Sequence, residues 1–210
     1  MIVDIHCHTR AYSGCAIDSL EDMVRAAVGR GLGALCVTEH DVVYPADRAR
    51  QQVRHLLNGM PVFRGIEVSC YGPKDIMAHI IVLGREDMDG PCYRPRRLRE
   101  LADEAGAALV LAHPFRYRDD AHHILDHLPV DAIEVDSSNV DDRAAAKALD
   151  LADRAGLPAV AGSDAHRASD VGAYATRLER VVSSVEDLAK EIRAGRVWPV
   201  RRDPETGDWE

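Results

Sequence analysis

The first residues able to do chemistry are His6 and His8, at the end of Met1-Ile-Val-Asp-Ile-His-Cys-His8. An apolar run closes there in His-x-His, and a polar, glycine-containing turn follows. Residues i and i+2 of an extended strand face the same side, so both imidazoles can aim at one point. Two convergent imidazoles at a strand end form the nucleus of a metal site. Two histidines near a terminus can equally be incidental, so the later segments decide.

Those segments repeat the arrangement. His40 follows the apolar run 34–38, Glu67 lies near the end of 61–68, and His79 interrupts 77–83. His113 follows the run 108–112, and Asp164 and His166 follow 158–162. Singly, each has a dull explanation. His40 reads as a solvated loop residue, Glu67 as a surface charge and His79 as a hydrogen-bonded core histidine. His113 precedes Pro114, which favours extended backbone, and Asp164 suits a helix cap. Gathered at one mouth, so many imidazoles would repel one another when protonated, whereas metal ions hold them neutral as ligands. The expectation is a multi-metal centre. His55 falls mid-helix, and His122, His123 and His127 share one short polar helix, so these four read as surface residues.

The elements that must position these groups follow from periodicity. Helices are expected from Asp18 or Ser19 to Gly31 or Gly33, and over 47–57, 95–105, 120–127, 140–155 and 184–194. About seven short apolar strands alternate with them, the pattern of βαβ units in a largely parallel sheet. Nearly all candidate ligands fall at or just past strand C-termini, where α/β barrels build their active sites. The tail 196–210, with Pro199 and Pro204, reads as irregular and peripheral. With no linker or repeat, residues 1–210 read as a single domain.

Composition narrows the classes. The chain is 46% hydrophobic and 29% charged, as in soluble globular proteins. A net charge of −9 disfavours polynucleotides and anionic membranes, leaving nucleotides or short ends as the expected limit for nucleic acid. No apolar run approaches the roughly 20 residues of a membrane span, and no signal peptide is visible. Five cysteines, an odd number without CxxC pairing, point to a reducing compartment and a cytoplasmic setting.

The ordered segments Asp4-Ile-His-Cys-His8-Thr, Thr38-Glu-His40-Asp41, Gly65-Ile-Glu67, His79, Ala112-His113-Pro114 and Gly162-Ser-Asp164-Ala-His166 resemble the PHP (polymerase and histidinol phosphatase) family over about residues 1–170. The resemblance implies a distorted (β/α)7 TIM-like barrel and a centre of two or three divalent metals, zinc, manganese or iron. Position by position, it implies that His6, His8, Glu67 and Asp164 hold one metal. Glu67 then bridges to a second held by His79 and His113, and His40 and His166 belong to a third. The family usually supplies another Asp or His in the loop after His-x-His. Here the nearest position is Cys15, with Asp18 slightly downstream. A thiolate is a competent zinc ligand, and a small buried cysteine is the alternative.

The implied activity is hydrolysis of a phosphoester, chiefly a small phosphomonoester, by a metal-activated water. Arg116, directly after the His113 segment, is the first choice for a phosphate contact and Arg10 the second, with Arg118 and Lys74 behind them. The basic run Arg94–Arg99 reads as a solvated face. Rival readings are a nucleotide phosphatase or short-oligonucleotide exonuclease, a metal-dependent amidohydrolase, and a non-catalytic metal-binding barrel within a larger assembly. Nothing in the loops encodes a substrate.

Overall fold

The computed structural model describes residues 1–72 and 75–210. One sheet contains nine strands: β1 (Ile2–Asp4), β2 (Ala34–His40), β3 (Val62–Tyr71), β4 (Ile76–Leu83), β5 (Ala108–Ala112), β6 (Ala132–Asp136), β7 (Ala159–Ala161), β8 (Tyr174–Leu178) and β9 (Val197–Arg201). Their spatial order is β7-β6-β5-β4-β3-β2-β1-β8-β9. The end strand β7 approaches β8, next to the other end of the sheet, where the Thr176 hydroxyl bonds both the N–H (3.1 Å) and the C=O (2.7 Å) of Ala161. The sheet is therefore a nearly closed, distorted barrel. Among the described residues, no helix is long and apolar enough to cross a membrane.

The seven strands expected from sequence all form, but β4 runs antiparallel to both β3 and β5. A direct β3–β4 hairpin leaves no room for a crossover helix. That reversal decides where His79 goes. Register pairs His79 with Ala112 and Leu83 with Ala108, so the start of β4 lies beside the end of β5. A histidine near the beginning of an antiparallel strand thus reaches the same mouth as His113, just past the end of a parallel one.

Two further strands were not expected. Residues 197–201 form β9, antiparallel to β8, with Val197 and Val200 buried, so the tail is not wholly irregular or peripheral. Pro199 is tolerated because β9 is the last strand of the sheet order, where a missing N–H costs little.

Helices α1 (Leu20–Gly29), α2 (Ala46–Val53), α3 (Pro95–Ala105), α4 (Asp142–Ala155) and α5 (Val185–Arg193) surround the sheet. Ser19 caps α1 in a reciprocal pair with Asp22, while Gly106 and Gly156 end α3 and α4 in the left-handed conformation. The segment expected as a helix at 120–127 is a 3₁₀ helix over Ala121–Asp126. On α5, Leu188, Ala189 and Ile192 join the cluster of Val3, Phe63, Leu83 and Ala108. That helix seals the end of the barrel away from His79 and His113, and the polar residues collect at the opposite end.

Candidate metal centre

Beyond β1, Cys7 forms an isolated parallel bridge to Ala165 just beyond β7. His6 and His8 flank that bridge on one side, as i, i+2 spacing requires, with their Nε2 atoms 3.1 Å apart. Glu67, fully buried on β3, faces them: its Oε1 lies 3.6 Å from His6 Nε2 and its Oε2 3.4 Å from His8 Nε2. From the other side, His113 Nε2 lies 2.9 Å and His79 Nδ1 3.3 Å from Glu67 Oε1. Asp164 Oδ1 stands 3.5 Å from His6 Nε2 and 3.2 Å from His8 Nε2.

Three sets of ligand atoms each gather within 4.8 Å: His6, His8 and Glu67; Glu67, His79 and His113; and His8, His40 and His166. Glu67 belongs to two of them and His8 to two. His40, at the end of β2, places Nδ1 2.7 Å from Glu67 Oε2. His6, His8, His40, Glu67, His79, His113, Asp164 and His166, the histidines and carboxylates expected to hold metal, therefore gather at this mouth.

Whether metal suits these residues can be tested on the carboxylates. Glu67 Oε2 and Asp164 Oδ1 are buried without a hydrogen-bond partner, despite the close imidazole nitrogens. A buried polar atom left unpaired costs about 1–3 kcal/mol, and more if charged. Nitrogen and oxygen atoms this close but off the hydrogen-bond axis share a focus rather than bond each other. Mixed imidazole and carboxylate donors suit zinc, manganese or iron. The residues fit divalent ions.

The electrostatics show the same crowding. Burial alone would lower the His6 pKa, but Glu134, Asp164 and Glu67 hold it well above its usual value. His8, pressed down by burial and by the neighbouring His6 and His40, falls to about 3. Burial works to raise Glu67 and Asp164, yet His6 and the other imidazoles hold both below the usual carboxylate range.

Two candidate ligands sit on backbone that side chains rarely adopt, His113 at φ 28° and Asp164 at φ 49°. Such residues cost of order 1–3 kcal/mol and persist where their surroundings hold them. Asn139 Nδ2 donates to the Asp164 carbonyl (2.8 Å) and to its Oδ2 (3.0 Å). Asp4, buried under the site, accepts from Ser163 N (2.9 Å) and Gly172 N (2.8 Å). Glu39 accepts from the hydroxyls of Thr9 and Ser13, each at 2.5 Å, and Ser13 Oγ lies 3.3 Å from His8 Nδ1. Glu134 on β6 lies 2.9 Å from His6 Nδ1 and accepts from the N–H of His113.

Sequence reasoning missed Asp4, Glu39, Glu134 and Asn139 as site residues. An acidic residue inside an apolar strand, as in Ala132-Ile-Glu-Val135, was the available signal.

The arginines separate. Arg116 donates to Asp164 Oδ2 at 2.5 Å, with its guanidinium 4.6 Å over the Tyr117 ring. Arg10 is exposed and lines a different cleft with Ser19, Tyr44 and Arg48. Arg118 pairs with Asp120, and Lys74 lies outside the described residues. Cys15 is exposed, with Sγ 3.1 Å from His166 Nε2, so it touches the third set without belonging to it. Asp18 instead accepts from Ala168 N–H at 2.8 Å. Of the histidines read as surface residues, His55, His123 and His127 are exposed and His122 is half-buried against Phe115.

Residues 4–125 match the PHP domain family and residues 142–197 match the PHP-associated family. The chain belongs to the PHP family. Over 73 residues it is 38% identical to a protein of Caldicellulosiruptor bescii named "Probable phosphatase". That match covers 32% of this chain and 30% of the relative, so the chain spans under a third of that relative's length. An amidohydrolase from Chromobacterium violaceum superposes with a TM-score of 0.63 at 20% identity, covering 97% of this chain and 99% of that one. A lesion-specific endonuclease from Pyrococcus furiosus superposes at 0.67 with 16% identity, covering 94% of this chain and 57% of that one. At these identities the PHP chain shares their fold.

Proposed function

We propose that this PHP domain is a metal-dependent phosphoesterase that hydrolyses a small phosphomonoester. The observation that carries the reading is Glu67, one buried carboxylate shared by two ligand sets and left with an unpaired oxygen. In this reading His6, His8, Glu67 and Asp164 hold one divalent ion, and Glu67, His79 and His113 a second. His40 and His166, with Cys15 alongside, serve a third. Ions bound there supply Lewis acidity and lower the pKa of water from about 16 towards 7.

The protein's own residues do the positioning. Glu67 fixes the spacing of the two principal sites. Arg116 brings to the rim a guanidinium whose planar fork matches phosphate oxygens. Its partner Asp164 is in this reading a ligand of the first ion, so one carboxylate ties the phosphate-facing guanidinium to the metal site. The burial of His6, His8 and Glu67 keeps water from screening these charges.

Beside His79 and His113 lies a cavity of about 450 Å³, lined by Met77, Ala78, Ala112, Pro114 and Tyr117 together with the charged Asp75 and Arg118. Its apolar side suits the organic part of a compact monoester. A long polynucleotide would meet a chain of net charge −9.

A panel of phosphomonoesters, nucleotides, short oligonucleotides and amides, assayed with added Mn²⁺ or Zn²⁺, tests the reading. Preferential phosphate release from small monoesters supports it. Turnover confined to oligonucleotides or amides overturns it.

A further inference from the structure

Glu134 is buried on β6 and touches two other strands' polar ends. Its Oε1 lies 2.9 Å from His6 Nδ1, and its Oε2 accepts the backbone N–H of His113 at 3.0 Å. We propose that Glu134 is a positioning residue that holds the two principal metal sites in one frame. One oxygen orients the imidazole of the first site, and the other pins the backbone carrying a ligand of the second. This rests on the metal reading above and adds to it a residue that touches no ion.

The argument begins with acceptor count. An ionised carboxylate offers two acceptor oxygens and no donor, and here each oxygen meets an N–H. With Nδ1–H donated to Glu134, His6 turns the lone pair of Nε2 towards Glu67 and Asp164. A glutamine of the same shape offers one oxygen and one NH₂. Placed here, it must set an N–H against an N–H at either His6 or His113.

The backbone gives a second reason. His113 sits at φ 28°, and its N–H bond to Glu134 is a restraint on that uncommon conformation.

The surroundings are built to admit this pair. A Cβ on Gly162 would stand 2.6 Å from His6 Cβ and 3.1 Å from Glu134 Oε1, so a side chain there would push the two groups apart. Glycine at 162 leaves the carboxylate and imidazole free to meet.

The test compares the wild-type full chain with Glu134→Gln, using Glu191→Gln as a control. Glu191 is a buried carboxylate paired with Arg196 on α5, away from the histidines. Zn²⁺ and Mn²⁺ affinities are measured by chelator competition on folded protein. Glu134→Gln should weaken binding about 10–100-fold, the usual cost of losing an outer partner of a metal ligand. Glu191→Gln should lower thermal stability and leave metal affinity unchanged.

Histidine ¹⁵N NMR of the Zn²⁺-loaded wild-type chain, where a ligating imidazole is neutral, supplies a readout that needs no variant. His6 should be in the Nδ1–H tautomer. Wild-type affinity in folded Glu134→Gln, or an Nε2–H tautomer in the wild type, overturns the proposal. A wild-type chain that binds no metal overturns the metal reading instead.

Discussion

Arg116 reaches across the mouth of the barrel to Asp164, donating to Oδ2 at 2.5 Å while Asp164 Oδ1 is turned into the histidine cluster. One carboxylate thus faces a fixed cation with one oxygen and the candidate metal site with the other. Arg116→Ala should reduce kcat/KM for a phosphomonoester by about 10–100-fold, matching a charge-assisted hydrogen bond of about 1.5–3 kcal/mol. Metal content should not fall, because Asp164 is then less neutralised. Loss of bound metal in this variant would show that Arg116 supports the fold of the site rather than the substrate.

Glu67→Gln removes the charge shared by two ligand sets. Elemental analysis should show both principal ions lost together, with phosphoesterase activity gone. Retention of one full equivalent would mean that the two sites fill independently.

Bound metal should stabilise the wild-type chain. A ligand at 100 times its Kd adds about 2.7 kcal/mol, which for a domain of this size raises Tm by about 5–10 °C. A thermal melt with and without Zn²⁺ measures it, and Glu67→Gln should show little of the shift.

Cys15 stands at the edge of the third histidine set. Its Sγ lies 3.1 Å from His166 Nε2, whereas Asp18 is engaged with the backbone of Ala168. Cobalt-loaded wild-type protein should therefore show thiolate-to-cobalt charge transfer in the near ultraviolet, and Cys15→Ser should abolish it. An identical spectrum in the variant would show that Cys15 binds no metal.

Away from the histidines, Asp136 lines a cavity of about 310 Å³ with Tyr174 and Arg201. Burial raises its carboxyl from 3.8 to about 6. The folded state then binds a proton that the unfolded chain has released, so this group's contribution to stability falls as pH rises from about 4 to 6. Asp136→Asn stays neutral throughout. Its stability relative to wild type should increase over that interval, read from urea midpoints with EDTA in both samples. A flat difference would place Asp136 at its ordinary pKa.

The candidate ligands were legible in sequence because each follows or interrupts an apolar run, and strand ends are local features. His79 looked anomalous inside its strand, and only the reversed direction of β4 explains its reach. Glu134 was not legible as a site residue. Its role depends on β6 lying beside β5 and on a glycine packed against both His6 and Glu134, relations that local pattern does not carry. β8 and β9 escaped for a similar reason. Tyr174–Leu178 is short and half polar, and Pro199 argues against a strand unless that strand is at an edge.

The central claim is that the cluster around Glu67 binds the ions that drive phosphoester hydrolysis. Phosphate release from p-nitrophenyl phosphate, measured on one preparation before chelation, after EDTA and after return of Mn²⁺ or Zn²⁺, tests it most directly. Activity should vanish with EDTA and return with metal, tracking at least two bound ions per chain. Undiminished turnover by protein with no bound metal would contradict the claim.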